Sequence, residues 1–207
     1  MSSSYSDFTS TTTMRWMPEP RVVPMLPAIE ARLLQFSALI RSANFIEFLD
    51  SLMIRLIADC FRDAGAHEGV IWMLDGERKN LLCAYQLGPA SGRLLNHRLP
   101  VDTGVASMVL ATQQPFCESN LSNNRDAASK LDEAMKLIIC SRILVPFSIA
   151  GELRGLVSCY RTKATLESPE PPGFEPHAVE EMSLLSRLLE RLLDHKMLSA
   201  AIGLQEN

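Results

Sequence analysis

The sequence has no apolar run of the roughly 18 residues that a membrane-spanning helix requires. Its N-terminus lacks the charged-then-apolar order of a secretory signal, so none is expected. It also lacks a strong charge bias, with 20 basic residues against 24 acidic ones and a net charge of −4. That balance gives no electrostatic footprint for a nucleic-acid backbone and no polybasic run for an anionic membrane, so neither is an expected partner. The cysteines Cys60, Cys83, Cys117, Cys140 and Cys159 are odd in number and contain no close pair. A disulfide framework and a CxxC zinc site are therefore not expected. Free cysteines within apolar elements behave as small buried hydrophobes, and a reducing cytoplasm is their simplest home. No Gly-rich phosphate loop, HExxH, GxSxG or kinase signature occurs. The histidines His67, His97, His177 and His195 are scattered, and no metal centre is expected. His97, on a predicted strand, could ligate haem iron; a surface or hydrogen-bonded histidine is the plainer reading.

What is present is enough for one domain with extensions: 207 residues, 47% apolar and 21% charged. Residues 1–27 are Ser/Thr-rich and then Pro-rich, and are expected as a disordered or extended arm. Its alternative role is a docking peptide around Trp16-Met17 and Val22-Val23. A single domain is expected over 28–201, with 202–207 as a tail. Helical spacing of Ile29, Leu33, Phe36 and Ile40 predicts a helix over Ala28–Arg41. Phe45, Phe48, Leu49, Leu52, Leu56 and Cys60 predict a second, ended by Gly65. Strands are predicted at Glu68–Leu74, Lys79–Leu87 and Leu94–Leu99. A short helix, Val105–Ala111, follows the helix-capping residues Asp102-Thr103-Gly104. Another helix is predicted at Ala127–Leu137. Two apolar runs, Ile143–Ile149 and Leu153–Tyr160, flank Ala150-Gly151-Glu152 and predict a hairpin. A last helix runs from about Pro176 to Ala201. Its leucines sweep about half the helix circumference, more than packing on one sheet needs. Leu185, Leu188, Leu189, Leu192 and Leu193 are therefore candidates for a homodimer contact; coverage by the first helix is the alternative.

Several pieces in order resemble the GAF domain family. They are Thr103-Gly104-Val105-Ala106, Ala111-Thr112-Gln113-Gln114-Pro115, Asn120-Leu121-Ser122, Arg142 to Phe147, and Gly151 to Ser158. The resemblance covers roughly residues 34–200. It implies an α/β (α+β) fold of the GAF/PAS-like kind. A central antiparallel sheet of five to six strands would carry the terminal helices on one face. A pocket roofed by helices and loops would lie on the other. By that topology the pocket candidates are Cys83, Tyr85, Met108, Cys117, Leu121, Leu131, Met135 and Cys140.

The resemblance implies a non-enzymatic sensory or regulatory domain. It would bind a small molecule or a partner protein and signal through its terminal helices; a separate signalling output protein and a stand-alone module are the two forms such an output could take. Bilin-binding relatives use a Cys followed by His in the helix before the central hairpin, and Ala127–Leu137 has neither. Cyclic-nucleotide-binding relatives carry Asn-Lys…Phe…Asp-Glu; here Asn123, Lys130, Asp132 and Glu133 lack the Phe. No cofactor is identified. The alternatives are a thiol-dependent reductase of the free methionine sulfoxide type, using Cys117 or Cys140 near Arg142, and a pocketless dimerisation scaffold. The reductase branch has an acidic residue where this chain has Arg142.

Overall fold

The computed structural model describes residues 20–95, 97–102, 104–123 and 130–203. Most of the expected arm, Thr103 of the capping stretch and residues 127–129 of the expected helix lie outside these. Six antiparallel strands form one sheet in the order β3-β2-β1-β6-β5-β4. They are β1 (Glu68–Leu74), β2 (Asn80–Leu87), β3 (Arg98–Pro100), β4 (Phe116–Ser119), β5 (Ile138–Ile149) and β6 (Glu152–Lys163). The helices are α1 (Leu26–Leu39), α2 (Ser51–Asp63), α3 (Gly104–Thr112), α4 (Lys130–Met135) and α5 (Pro176–Ala201).

The central hairpin matches its sequence signature and is longer than predicted. Ile149 pairs with Glu152, so the turn is only Ala150-Gly151. Both turn residues have positive φ, 53° and 74°, as the two-residue turn that suits strand twist requires. Glu152 is the first residue of β6 rather than part of the turn. The predicted third strand is shorter than expected, starting at Arg98, and Leu94 lies in the preceding turns.

Period-2 alternation divides the side chains of β5 and β6 between two cores. Ile143, Val145, Phe147, Val157 and Cys159 face a layer made by α1, α2 and α5. Leu144, Leu156 and Tyr160 face the opposite side with Val70 and Trp72. On α5, Met182, Leu185, Leu189 and Leu193 are 0–1% exposed against the first core. Each contributes about 1.5–3 kcal/mol by burial.

The helical layer departs from the predicted boundaries. Helical backbone begins at Val23, inside the expected arm, with Pro24 and Pro27 in first-turn positions where a missing N–H costs nothing. The predicted second helix is split: Phe45–Phe48 is a 3-10 turn and α2 starts at Ser51. Asp50 causes the restart, because its Oδ1 accepts the Met53 N–H at 2.9 Å as an N-cap. Gly65 ends α2 as expected, at φ +68°.

Polar contacts help fix the layer to the hairpin. Ser186 Oγ donates to the Pro146 carbonyl at 2.7 Å, and the Ala150 N–H donates to Asp194 at 2.7 Å. Arg154 donates to the Ile40 carbonyl at 2.7 Å.

Close strand packing makes one glycine indispensable. A Cβ on Gly155 would overlap the Trp72 carbonyl of the neighbouring strand. Gly155→Ala is expected to cost about 3 kcal/mol or more in urea unfolding, because backbone cannot yield as a side chain can. Gly76→Ala, with nothing within 4 Å of the new Cβ, is expected to stay within about 0.5 kcal/mol.

Candidate functional site

The sheet face opposite α5 carries the features expected of a functional site. Its floor is built from Val70, Trp72, Leu144, Leu156, Ser158 and Tyr160. Ala106 and Val109 of α3, and Leu131 and Met135 of α4, roof it. Ala90 and Leu94, in the turns between β2 and β3, close one side.

That side is fastened by a buried acid. Glu68 is 1% exposed, and its carboxylate accepts the Ala90 N–H and, at 3.4 Å, the Gln86 amide. Gln86 in turn bonds the Ala90 carbonyl at 2.8 Å and the Leu94 N–H at 3.2 Å. Burial pushes the Glu68 carboxyl above its ordinary pKa, against the pull of these bonds. Gly88 is required beside it, because a Cβ there would meet the Glu68 carboxylate at 2.6 Å.

The floor holds polar groups in an apolar setting. Trp72 Nε1 donates to the Tyr160 hydroxyl at 3.4 Å. Ser158 is 0% exposed, and its hydroxyl lies beside the Tyr160 phenol without a well-formed hydrogen bond among the described residues. Burial raises the Tyr160 pKa, opposed by the adjacent Ser158 and Trp72 and by the Arg142 charge. Arg142 is held by Glu118 of the paired strand through two guanidinium contacts, at 2.8 and 3.2 Å.

The eight predicted pocket residues do not converge. Cys83, Leu121, Leu131 and Met135 belong to this face. Tyr85 does not: Ile71 pairs with Tyr85 and Trp72 with Cys83, leaving Ala84 as an extra residue. This bulge turns Tyr85 to the α5 side of the sheet. Cys117 is exposed and alternates away from Phe116, opposite Ile143. Met108 is 42% exposed on the outer side of α3. Cys140 sits at a second irregularity, between Ile139 and Ser141, so it does not share a simple strand face with Arg142.

The surroundings of the thiols work against nucleophilic chemistry. Cys140 is pushed up to about 11 by burial and then by Glu170. Burial pushes Cys83 to about 11 as well and raises Cys60, Cys117 and Cys159. Thiolate character needs the opposite environment. Among the described residues, no group of three or more His, Cys, Asp or Glu could hold a metal ion. His97 precedes β3; its Nε2 is buried without a partner among the described residues, and burial lowers its pKa. No helix among the described residues is long and apolar enough to cross a membrane.

Of the helix candidates, Leu185, Leu189 and Leu193 are consumed by the chain's own core. Leu188 and Leu192 are half-buried, and Leu184 is 41% exposed. Both α1 and α2 pack against α5, which uses part of its broad apolar surface within the chain.

Sequence reasoning overlooked Trp72, Ser158 and Tyr160. Their signal was the alternation within β1 and β6, which places all three on one face once the strands are paired. Glu170 was overlooked too, inside a loop rich in proline. Its carboxylate accepts Lys163 Nζ and Ser122 Oγ, both at 2.6 Å, and lies beside Cys140.

Lys163, and then Ser122, hold the Glu170 carboxyl below its ordinary pKa. A depressed carboxylate pKa stabilises the fold above the unfolded-state value and loses that effect as pH falls through the folded-state value. Because Glu170 is exposed and its ion pair is screened by solvent, Glu170→Gln is expected to cost only about 0.5–1 kcal/mol at pH 7. The gap should shrink below about pH 4.5 and vanish in stronger acid; thermal melts of both proteins across pH 3–8 check it.

No protein-family model matches the sequence, and no curated protein matches it. Solved structures do resemble it. The GAF domain of Acinetobacter phosphoenolpyruvate-protein phosphotransferase aligns with TM-score 0.52 and 18% identity, over 82% of this chain and 96% of that one. A GAF domain/HD domain protein from Geobacter sulfurreducens aligns with TM-score 0.52 and 17% identity, over 79% and 99%. The blue-light absorbing form of the Thermosynechococcus elongatus PixJ GAF domain aligns with TM-score 0.50 and 14% identity, over 77% and 99%. With the two-sided antiparallel sheet, the α5 layer behind it and the roofed face in front, these likenesses establish that the chain has the GAF fold.

Proposed function

We propose that this chain is a non-enzymatic regulatory domain of the sensory kind, which binds a small molecule or a partner on the roofed face and relays its state through α5. The observation that carries the reading is Ser158, a fully buried hydroxyl beside the Tyr160 phenol that lacks a well-formed hydrogen bond among the described residues. A buried hydroxyl left without a good partner costs about 1–3 kcal/mol. A bound polar group would satisfy it. The relay rests on the shared hairpin: Ser158 and Tyr160 lie on the strand paired with β5, whose Pro146 and adjoining Ala150 bond α5. The light-absorbing PixJ domain among the structural neighbours fits a sensory role. The raised thiol pKa values favour this reading over a thiol-dependent reductase.

A specific observation favours the second reading, a pocketless dimerisation scaffold. Trp72, Met135 and Leu131, each no more than 5% exposed, fill the space beneath the roof. In either reading the dimer contact would use the outer flank of α5, around Leu184 and Leu188. A separate signalling protein would receive the output, and the cytoplasm remains the compartment we infer.

Native mass spectrometry of the protein purified from its own host separates the readings. A dimer carrying a small molecule supports the sensor, an empty dimer supports the scaffold, and an empty monomer removes both. Ser158→Ala is expected to raise the stability of ligand-free protein by about 1 kcal/mol in urea unfolding, because it removes a buried polar group without a well-formed bond. A loss of stability instead would mean that the hydroxyl is already satisfied. Leu184→Glu with Leu188→Glu is expected to give the mass of one chain by light scattering while the fold is kept. Leu189→Glu, which buries a charge in the core, is expected to abolish folding.

A further inference from the structure

A cleft of about 540 Å3 lies between the end of α1, the β1–β2 turn and the start of β6. Three arginines reach it from three separate segments: Arg41, Arg78 and Arg154. Arg154 gives one hydrogen bond to the Ile40 carbonyl at 2.7 Å, and Arg78 gives one to the Leu153 carbonyl at 3.2 Å. These bonds position two guanidiniums and leave most of each donor fork unused. None of the three arginines forms an ion pair among the described residues.

The two acidic residues at the cleft, Asp75 and Glu152, offset only part of this charge and leave the arginines in excess. Asp75 is engaged in folding its own turn, accepting the Lys79 N–H at 2.8 Å and the Asn80 amide at 2.7 Å. Glu152 makes no ion pair with any of the three arginines. Burial lowers the Arg154 pKa; Glu152 opposes this, and the like charge of Arg78 adds to it. Arg154 thus carries its charge half-buried and beside another cation. The excess of arginines over carboxylates favours a further anion here. It also runs against the chain's own net charge of −4.

We propose that this cleft binds a small ligand bearing clustered phosphate groups. Guanidinium forks pair bidentately with phosphate oxygens, and several forks around one cleft suit several phosphoryl groups better than a lone carboxylate. The ligand would bridge the end of α1 and the hairpin, so its binding would stiffen the seam that Arg154 already closes. None of the three arginines belongs to the roofed face, and the site stands independently of its assignment.

Calorimetric titration of inorganic pyrophosphate into the full chain, at about 150 mM salt to screen diffuse attraction, tests this. Saturable binding at one site per chain is expected. Arg41→Ala and Arg78→Ala should each weaken it roughly tenfold or more. Both side chains are exposed, so the melting temperature without ligand should not change. Arg55→Ala, which removes an exposed charge elsewhere, should bind as the wild type does. No saturable binding up to low millimolar pyrophosphate would overturn the proposal. So would undiminished binding in both cleft variants, or an equal loss in Arg55→Ala.

Discussion

The β5–β6 hairpin joins the two cores of the described residues. Its strands run twelve residues each, and successive side chains point to opposite faces. Val145 and Val157 support α5, whereas Leu144 and Leu156 support the roof. Neither core can shift its share of the hairpin without moving the backbone that the other core rests on. A tightly packed interior transmits such displacement rather than absorbing it. Gly155 marks how little slack there is, since the Trp72 carbonyl occupies the space a methyl group would need.

The helical layer is joined to this hairpin by directional bonds at defined points, in addition to apolar contact. Ser186 and Asp194 hold α5 along the first strand and at the turn. Arg161 acts at the other end of α5. It donates to the carbonyls of Gly65, Pro172 and Gly173 and stacks 4.6 Å from the centre of the Phe174 ring. One side chain of β6 thereby ties the end of α2 to the segment leading into α5. Apolar packing alone would let a helix slide or rotate at modest cost. Anchors near both ends restrict α5 to positions that keep the hairpin geometry, which is what a relay through a helix requires.

The sequence made much of this legible, for identifiable reasons. The hairpin turn could be read because Gly151 tolerates positive φ, and Gly65 for the same reason at the end of α2. The length of α5 followed from Pro176 and the leucine repeat. The faces of individual residues were less legible wherever a strand carried an extra residue. Cys83 and Tyr85 are two apart and should share a face, yet the bulge at Ala84 separates them. Cys140 and Arg142 are decoupled by the irregularity before Ser141. Nothing in the composition of either segment distinguishes a bulge from a regular strand, while one inserted residue reverses every assignment beyond it. The breadth of the α5 leucine surface had a similar ambiguity. It measures how much apolar contact the helix makes, not whether that contact comes from the same chain.

The filled roof sets an energetic limit on any sensing role. The two roof side chains of α4, Leu131 and Met135, are buried against Trp72 and its neighbours. Exposing both would cost about 3–6 kcal/mol at the usual value per buried side chain. Short helices are not stable alone in water, so tertiary contact is what holds the described part of α4, Lys130–Met135. Part of that contact is the Arg93 bond to the Met135 carbonyl at 2.6 Å. A ligand that displaced α4 would need gross interactions worth that cost beyond its net affinity, and micromolar binding already represents about 8 kcal/mol. A ligand that instead replaced the two side chains, keeping the floor covered, would recover most of the lost burial while pairing Ser158. The physical demand on a roof-face ligand is therefore an apolar body the size of the displaced leucine and methionine, with one polar group directed at the sheet.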